Sequence, residues 1–446
     1  MNIALNLYQN FKIDFFFIIK LLFYSFPIIL IFPSGYITAH VSLLTIASLI
    51  AIYKNNLKIE FLLIDYLIFL LFFLSVFSTL INISTLGNII FIKSILDIRF
   101  AIFFLVVRNL LVNKIVNLKF LSIISIISSM LLSFDIFLQH LIGYNIVGIK
   151  PFDGRYNSFF EHEAIAGSYI QKFFLLSLLS VFLLKLKKIN RIFLITFIIN
   201  TLGMGVLLSL DRMPFLILIF ANFILLLFLK NFRILILSNI IILTILFLCL
   251  FKNYEVVKSR YEYFDRDINF SKILDSPIIK NYIKSSNDQN KTSIPDQKLF
   301  YGDYYKIYNA AYTIFTKKYL IGSGVKSFGH ECNKLPSTLE NISCNNHPHN
   351  IYLEILVNLG VIGIFIFVIF LLFLVNKIIK YLFNDRINNH QKITLILFFT
   401  IFISELIPFR SYGSIFQTNN GSIFWFFLGL ISYINTTKLH KRKNTS

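Results

Sequence analysis

From Met213 to Leu229 the chain runs seventeen residues without a charge, and comparable apolar runs recur along its whole length. Such a run allows only one secondary structure. In hydrocarbon every backbone N–H and C=O must pair inside the segment, which only a helix permits, and roughly 20 apolar residues cross a core of about 30 Å. Twelve stretches qualify, near 13–33, 37–53, 61–80, 91–107, 120–141, 164–184, 192–209, 213–229, 234–251, 350–375, 393–409 and 421–436. The fourth is interrupted by Lys93, Asp97 and Arg99. The ten-residue alternation of a membrane barrel is absent. Only 14% of the residues are charged against 57% hydrophobic, whereas a water-soluble chain carries about a quarter charged. The expectation is an all-α polytopic membrane protein.

Orientation follows from Lys and Arg in the short loops. With a cytoplasmic N-terminus, the segments on that side hold twenty of them, among them Lys185, Lys187, Lys188 and Arg191 between two spans and Lys438, Lys441, Arg442 and Lys443 after the last. The short loops of the opposite face hold four: Lys150, Arg155, Arg212 and Arg410. Both termini are therefore expected in the cytoplasm of a bacterial cell, with the chain in its inner membrane. The net charge of +20 largely reflects this bias and requires no nucleic-acid partner. The first apolar run is too long for a signal peptide and lacks a small-residue cleavage site. The organisation expected is a membrane domain of nine spans over 1–251, a large periplasmic loop over 252–349, and three further spans with a basic tail over 350–446. No nucleotide-binding loop is present.

Within the loop, 252–299 lacks apolar periodicity and reads as mobile. Beyond it Tyr301, Tyr304, Tyr308, Tyr312, Phe315 and Tyr319 recur at steps of three and four, one face of a helix. Such a stripe suits a membrane interface or packing of the loop onto the bundle; sugar stacking is the alternative. Cys249 falls in a span and is expected as a buried small hydrophobe. Cys332 and Cys344 lie in the loop with eleven residues between them. In an oxidising compartment a disulfide between them is expected, and closing so short a loop contributes about 3 kcal/mol. No His or Cys stands beside them at metal-ligand spacing.

The external edge collects chemistry. Arg155 precedes Ser158-Phe159-Phe160-Glu161-His162-Glu163, Arg212 follows Asp211 in a turn between two spans, and Arg410 opens the last external loop. The large loop ends in His347-Pro348-His349-Asn350. Charges at a membrane edge are costly unless they face a cavity or a partner, and a guanidinium suits phosphate. Any one arginine alone is better read as snorkelling to headgroups, or pairing with Asp153 or Asp211. Three beside a histidine point to an anion site. An imidazole changes charge near neutrality, which fits His349 as a general base; the bland reading is that a histidine caps the incoming helix.

His349-Asn350, nine residues and then Gly360-x-x-Gly363 resembles the pattern of the O-antigen ligase superfamily, which also holds O-antigen polymerases and some protein O-oligosaccharyltransferases. Gly322-Ser323-Gly324, Arg155 before Phe160 and Gly167, and Arg212 resemble further elements of that family, over roughly 150–430. Asp211 stands where the family usually has Ser. The resemblance implies a C-type glycosyltransferase fold and a donor glycan linked to undecaprenyl diphosphate. It implies diphosphate binding by Arg155 and Arg212, with Arg410 as a further contact, and His349 as base oriented by His347 and Asn350. Glu161 and Glu163 are candidates for contacting sugar or acceptor. No Asp-x-Asp motif or external acid cluster points to a metal, and no cofactor is expected. The acceptor is lipid A-core in a ligase, or a second lipid-linked glycan in a polymerase. A transporter is the reading from another class; it favours binding groups at the membrane midplane in paired halves, whereas these residues gather at one face.

Overall fold

The computed structural model describes residues 15–54, 59–161, 163, 165–259, 261, 303–336, 342–384, 387–408, 410–434 and 436. The expected mobile stretch from 262 onward, Tyr301, His162 and the basic tail from 437 lie outside the described residues. Among those described there is no strand, only a single bridge between Phe152 and Arg155.

Helices occupy all twelve apolar stretches. Seven are long and apolar enough to cross a membrane: Ser34–Lys54, Leu63–Ile81, Leu118–Ile142, Ala166–Leu183, Lys188–Leu208, Lys230–Asn253 and Ile351–Leu382. Shorter apolar helices run over Phe15–Tyr24 and Arg212–Phe228. The chain is a multi-pass membrane protein. Ala166–Leu183 is 89% buried and forms the centre of the bundle, packed on its neighbours before and after it, while Lys230–Asn253 is only 17% buried and lies at the edge. Cys249 sits on that edge helix and is exposed, so the expectation of a buried cysteine is corrected: few residues of this helix are fully buried, and Cys249 is on its outward side.

The interrupted fourth stretch is two helices, Asn88–Asp97 and Arg99–Val112. Its charges find partners on other elements: Lys326 Nζ donates to Asp97 at 2.9 Å, and Arg99 Nη2 donates to Thr418 Oγ1 at 3.1 Å. At the opposite end of the bundle Arg108 and Asp65, both fully buried, form a two-pronged ion pair, and Arg108 also donates to the Glu60 carbonyl. Removing one partner of such a pair strands a buried charge.

The helix Asp303–Lys317 forms where the aromatic stripe places one, and Tyr308 and Phe315 of the stripe pack half-buried against its neighbours. Ile307, Ala310, Ala311 and Ile314 are buried against Phe328, Cys332 and Val357, and Tyr304, Tyr312 and Tyr319 remain exposed. Small residues allow the two elements to approach, and bulky phenols are left on the rim.

The helix Ile351–Leu382 is broken at Gly360 (φ 66°, ψ −162°), a backbone region essentially restricted to glycine. The break frees backbone groups, and residues 319–325 use them. Ser323 and Gly324 N–H donate to the carbonyls of Val357 and Asn358 at 2.8 and 3.0 Å, and Val361 N–H donates to Tyr319 O at 2.8 Å. A Cβ at Gly360 would overlap the Leu320 carbonyl and one at Gly322 the Asn358 peptide. Ser78 Oγ donates to Asn358 O at 2.9 Å and Val325 N–H to Thr79 Oγ1 at 3.0 Å, which ties in helix Leu63–Ile81. Gly360→Ala is expected to destabilise the detergent-solubilised protein by about 3 kcal/mol or more from backbone strain and overlap, read as a fall in its thermal unfolding midpoint; an unchanged midpoint would contradict the interlock.

Candidate active site at one end of the bundle

Two clusters form at one end: 142–161 with 208–212, and 345–350 with 410–417. The first is anchored from the helix below it. Buried Asp135 accepts from Ile146 N–H at 2.9 Å and from Ser158 Oγ at 2.5 Å, and Gln139 Oε1 accepts from Ser158 N–H at 3.1 Å. Between these anchors Phe152 and Arg155 exchange two backbone hydrogen bonds of 3.0 Å. The residues between them, Asp153 and Gly154, both have positive φ, the geometry of a two-residue hairpin turn.

That turn aims Arg155 at two carboxylates. Its guanidinium lies 2.9 Å from Asp153 and 3.5 Å from Asp211, with 31% of its side chain still accessible. Asp211, the departure from the family pattern, is buried and does a second job: its Oδ2 accepts from Gly167 N–H at 3.1 Å. A Cβ at Gly167 would run into Ser209 and Asp211, so the glycine is what lets the central helix approach this turn. Asp211 is the N-cap position of helix Arg212–Phe228, with Arg212 as its first residue. The two arginine motifs thus converge through Asp211. Burial raises the phenol pKa of Tyr261, which lies within electrostatic reach of both Asp211 and Arg212.

The histidine turn is built from the other side. His349 has a φ of 54°, uncommon for a residue with a side chain and a mark of local strain. This turns its carbonyl to accept from Tyr412 N–H at 2.8 Å. Its Nε2 lies 3.2 Å from Asn345 Nδ2, and its ring centroid is 4.2 Å from that of His347 and 6.0 Å from that of Tyr304. Burial lowers the pKa of His349; for His347 burial and the neighbouring His349 bring it down to about 4. Both rings are therefore neutral at pH 7. Asn350 is committed elsewhere. Its Oδ1 accepts from Tyr352 and Leu353 N–H at 3.0 and 3.1 Å, capping the helix, and its Nδ2 donates to Pro408 O at 2.5 Å. It fixes His349 through the chain rather than by a bond to the ring.

Arg410 is placed between these two clusters and is occupied within the protein. Only 4% of its side chain is accessible; Nη1 donates to Glu405 Oε1 at 3.0 Å and to Ser404 O at 2.8 Å, and Nη2 donates to Gln171 Oε1 at 3.2 Å. It also stacks 4.9 Å from the Tyr412 ring, whose hydroxyl donates to Glu405 at 2.6 Å. Burial and the Glu405 carboxylate push the Tyr412 phenol pKa well up. A continuous path of contacts therefore runs from His349 through Tyr412 and Arg410 to Gln171, one helical turn from Gly167, and on to Asp211 and Arg155. Glu161, beyond the short turn Ser158–Phe160, and Glu163 are exposed. Cys332 and Cys344 are joined in a disulfide with Cα atoms 5.6 Å apart. Among the described residues no three His, Cys, Asp or Glu side chains converge as a metal-binding group.

Residues 196–368 match the family model described as O-antigen ligase. The match spans 196–368 of the 446 residues, and that part of the chain is similar to the O-antigen ligase family. The matched segment holds Arg212, the glycines of the 322–324 turn, both histidines, Asn350 and the Gly360 break; Arg155 and Arg410 fall outside it. No curated protein matches the chain. Members of this superfamily are membrane enzymes of the O-antigen ligase and polymerase type, acting on lipid-linked glycans.

Sequence reasoning does not single out Gln171, Lys172, Glu354 and Glu405. Lys172 Nζ lies 4.9 Å from the Tyr412 ring centroid, and Glu354 accepts from Ile415 N–H at 3.1 Å. Three of them are charges inside apolar runs, and that is the signal: an ionisable residue in a span faces the bundle interior and pairs there. Asp211, which stands beside Arg212 in sequence, also tethers Arg155. Asp211→Asn keeps an acceptor for Gly167 and removes the charge. It is expected to lower glycan transfer about tenfold, or about 1.4 kcal/mol of transition-state stabilisation, at unchanged expression; wild-type transfer would show that the tether is dispensable.

Proposed function

We propose that this chain is an O-antigen ligase: a metal-independent glycosyltransferase of twelve spans that moves a glycan from undecaprenyl diphosphate to lipid A-core at the periplasmic face of the inner membrane. The observation that carries this reading is the contact path at one end of the bundle joining a neutral, strained His349 to the Arg155–Asp211–Arg212 turn. A base and a diphosphate site stand at the two ends of that path, as glycosyl transfer from a diphosphate requires.

In this reaction the acceptor hydroxyl gives its proton to His349 while its oxygen bonds to the anomeric carbon. The bond from that carbon to the diphosphate oxygen breaks, and its electron pair leaves with the diphosphate. Arg155, partly accessible, and Arg212 offset the charge that builds on the leaving group, an electrostatic role that increases with bond breaking. Arg410 acts from within the protein, holding Tyr412 and through it the His349 carbonyl. His347 packs against His349, with the ring centroids 4.2 Å apart, and orients it. The large loop ending in His349 favours the ligase over the polymerase.

His349→Ala is expected to abolish transfer while expression and membrane insertion persist. In cells, electrophoresis of lipopolysaccharide should then show bare lipid A-core with long glycan left on undecaprenyl diphosphate. Core capped by one repeat would instead mean polymerase, and an unchanged profile would overturn the role of His349. The pH dependence has a defined sign. Because burial favours the neutral ring, the base is available at neutral pH, and the rate should fall only as pH drops through a value below the ordinary 6.5. A midpoint above 6.5 in the rate–pH profile would contradict this.

A further inference from the structure

Next to the histidine turn opens a cleft of about 540 Å³ walled by Lys326, His330, Asn333, Asn345, Asn346 and Gln417. Its size falls within the roughly 300–1,000 Å³ of small-molecule pockets, which are mostly lined by apolar side chains. This wall is polar. Four of the six residues carry a primary amide, a donor and an acceptor side by side. That pairing matches a sugar hydroxyl, itself donor and acceptor. The ammonium of Lys326 is held 2.9 Å from the Asp97 carboxylate, so its charge is offset and the cleft is no trap for a bare anion.

The walls come from three separate elements, and each is fixed. Cys344 also lines the cleft, and its disulfide to Cys332 holds residues 344–346 against the short helix Phe328–Cys332. Gly329 lets that helix approach, since a Cβ there would stand 3.0 Å from the Asn345 carbonyl. Gln417 precedes helix Thr418–Tyr433, anchored through its carbonyl to Gly421 N–H at 2.8 Å. Asn345 links the cleft to the chemistry, because it both lines the cleft and lies 3.2 Å from His349 Nε2. A molecule in the cleft is therefore one side chain away from the histidine.

We propose that this cleft is the acceptor subsite, binding the hydroxyl-rich terminal sugars of the acceptor glycan, with Asn345 relaying occupancy to the orientation of His349. The proposal rests on the reading of His349 as the base: the substrate that yields a proton must lie on the histidine's side, while the donor diphosphate belongs with Arg155 and Arg212. Asn345 is a positioning residue, and Asn346 and Gln417 contact the sugar.

The test is equilibrium binding of delipidated lipopolysaccharide core oligosaccharide to the detergent-solubilised full chain, by calorimetry, beside a glycan-transfer assay on the same preparations. Asn346→Ala and Gln417→Ala, on the open wall and away from the packed core, should each weaken binding about tenfold and raise the acceptor KM in step, leaving the donor KM unchanged. Asn345→Ala should weaken binding and also shift the acid limb of the rate–pH profile, which a mere wall residue would not do. Wild-type binding with both wall variants unaffected, or no oligosaccharide binding by the wild-type chain, would overturn the subsite. Binding that the variants lose, in a wild-type chain that transfers no glycan, would overturn the ligase reading and leave the saccharide cleft standing.

Discussion

The break at Gly360 is the constraint on which the rest of this end of the molecule depends. An unbroken helix from Ile351 would use all its backbone hydrogen bonds internally and offer nothing to the segment 319–325. With Gly360 in a conformation that only glycine holds easily, the carbonyls of Val357 and Asn358 and the N–H of Val361 turn outward and pair with that segment. In a membrane protein this exchange matters more than in water, because no solvent replaces a lost backbone partner. The loop ahead of the helix is thereby clamped to helices Leu63–Ile81 and Ile351–Leu382, and the histidine turn at the start of the latter gains a fixed base.

Charge follows the same economy of partners. The arginines near the site are not equivalent, and burial separates them. Arg410 is enclosed with Glu405, Gln171 and Tyr412. Arg155 keeps about a third of its side chain accessible while two aspartates aim it. Under the proposed function the first arginine holds the scaffold and the second meets the phosphate. Asp211 joins both purposes, since it caps the approach of the central helix at Gly167 and tethers Arg155.

The covalent and non-covalent restraints on the histidine turn are concentrated in a few residues. The disulfide fixes the chain before it, Asn350 fixes the helix after it, and Tyr412 holds the carbonyl of His349 itself. These restraints account for a non-glycine residue at φ 54° persisting in the turn. In its proposed role as base, His349 held in this way loses little freedom when the substrate arrives, which is how a preorganised site lowers a barrier.

The sequence alone determined the helices, because apolar runs in hydrocarbon have one solution, and it carries the family-like pattern around His349, Gly360 and Arg212. It located the two loop cysteines, the helix at 303–317 and two of the residues it packs, Tyr308 and Phe315, but not the small residues at the centre of its buried face, since aromatic periodicity does not tell which side finds small neighbours. It placed Cys249 inside the bundle, whereas the edge position of its helix, a property of how the spans pack, leaves it exposed. Only the tertiary structure decided that Asp211 serves Arg155, that Arg410 is spent on Glu405, and that Asn345 stands between a polar cleft and His349. These pairings lie between 4 and 239 residues apart in sequence, and pattern alone does not tell which side chain a buried charge will find.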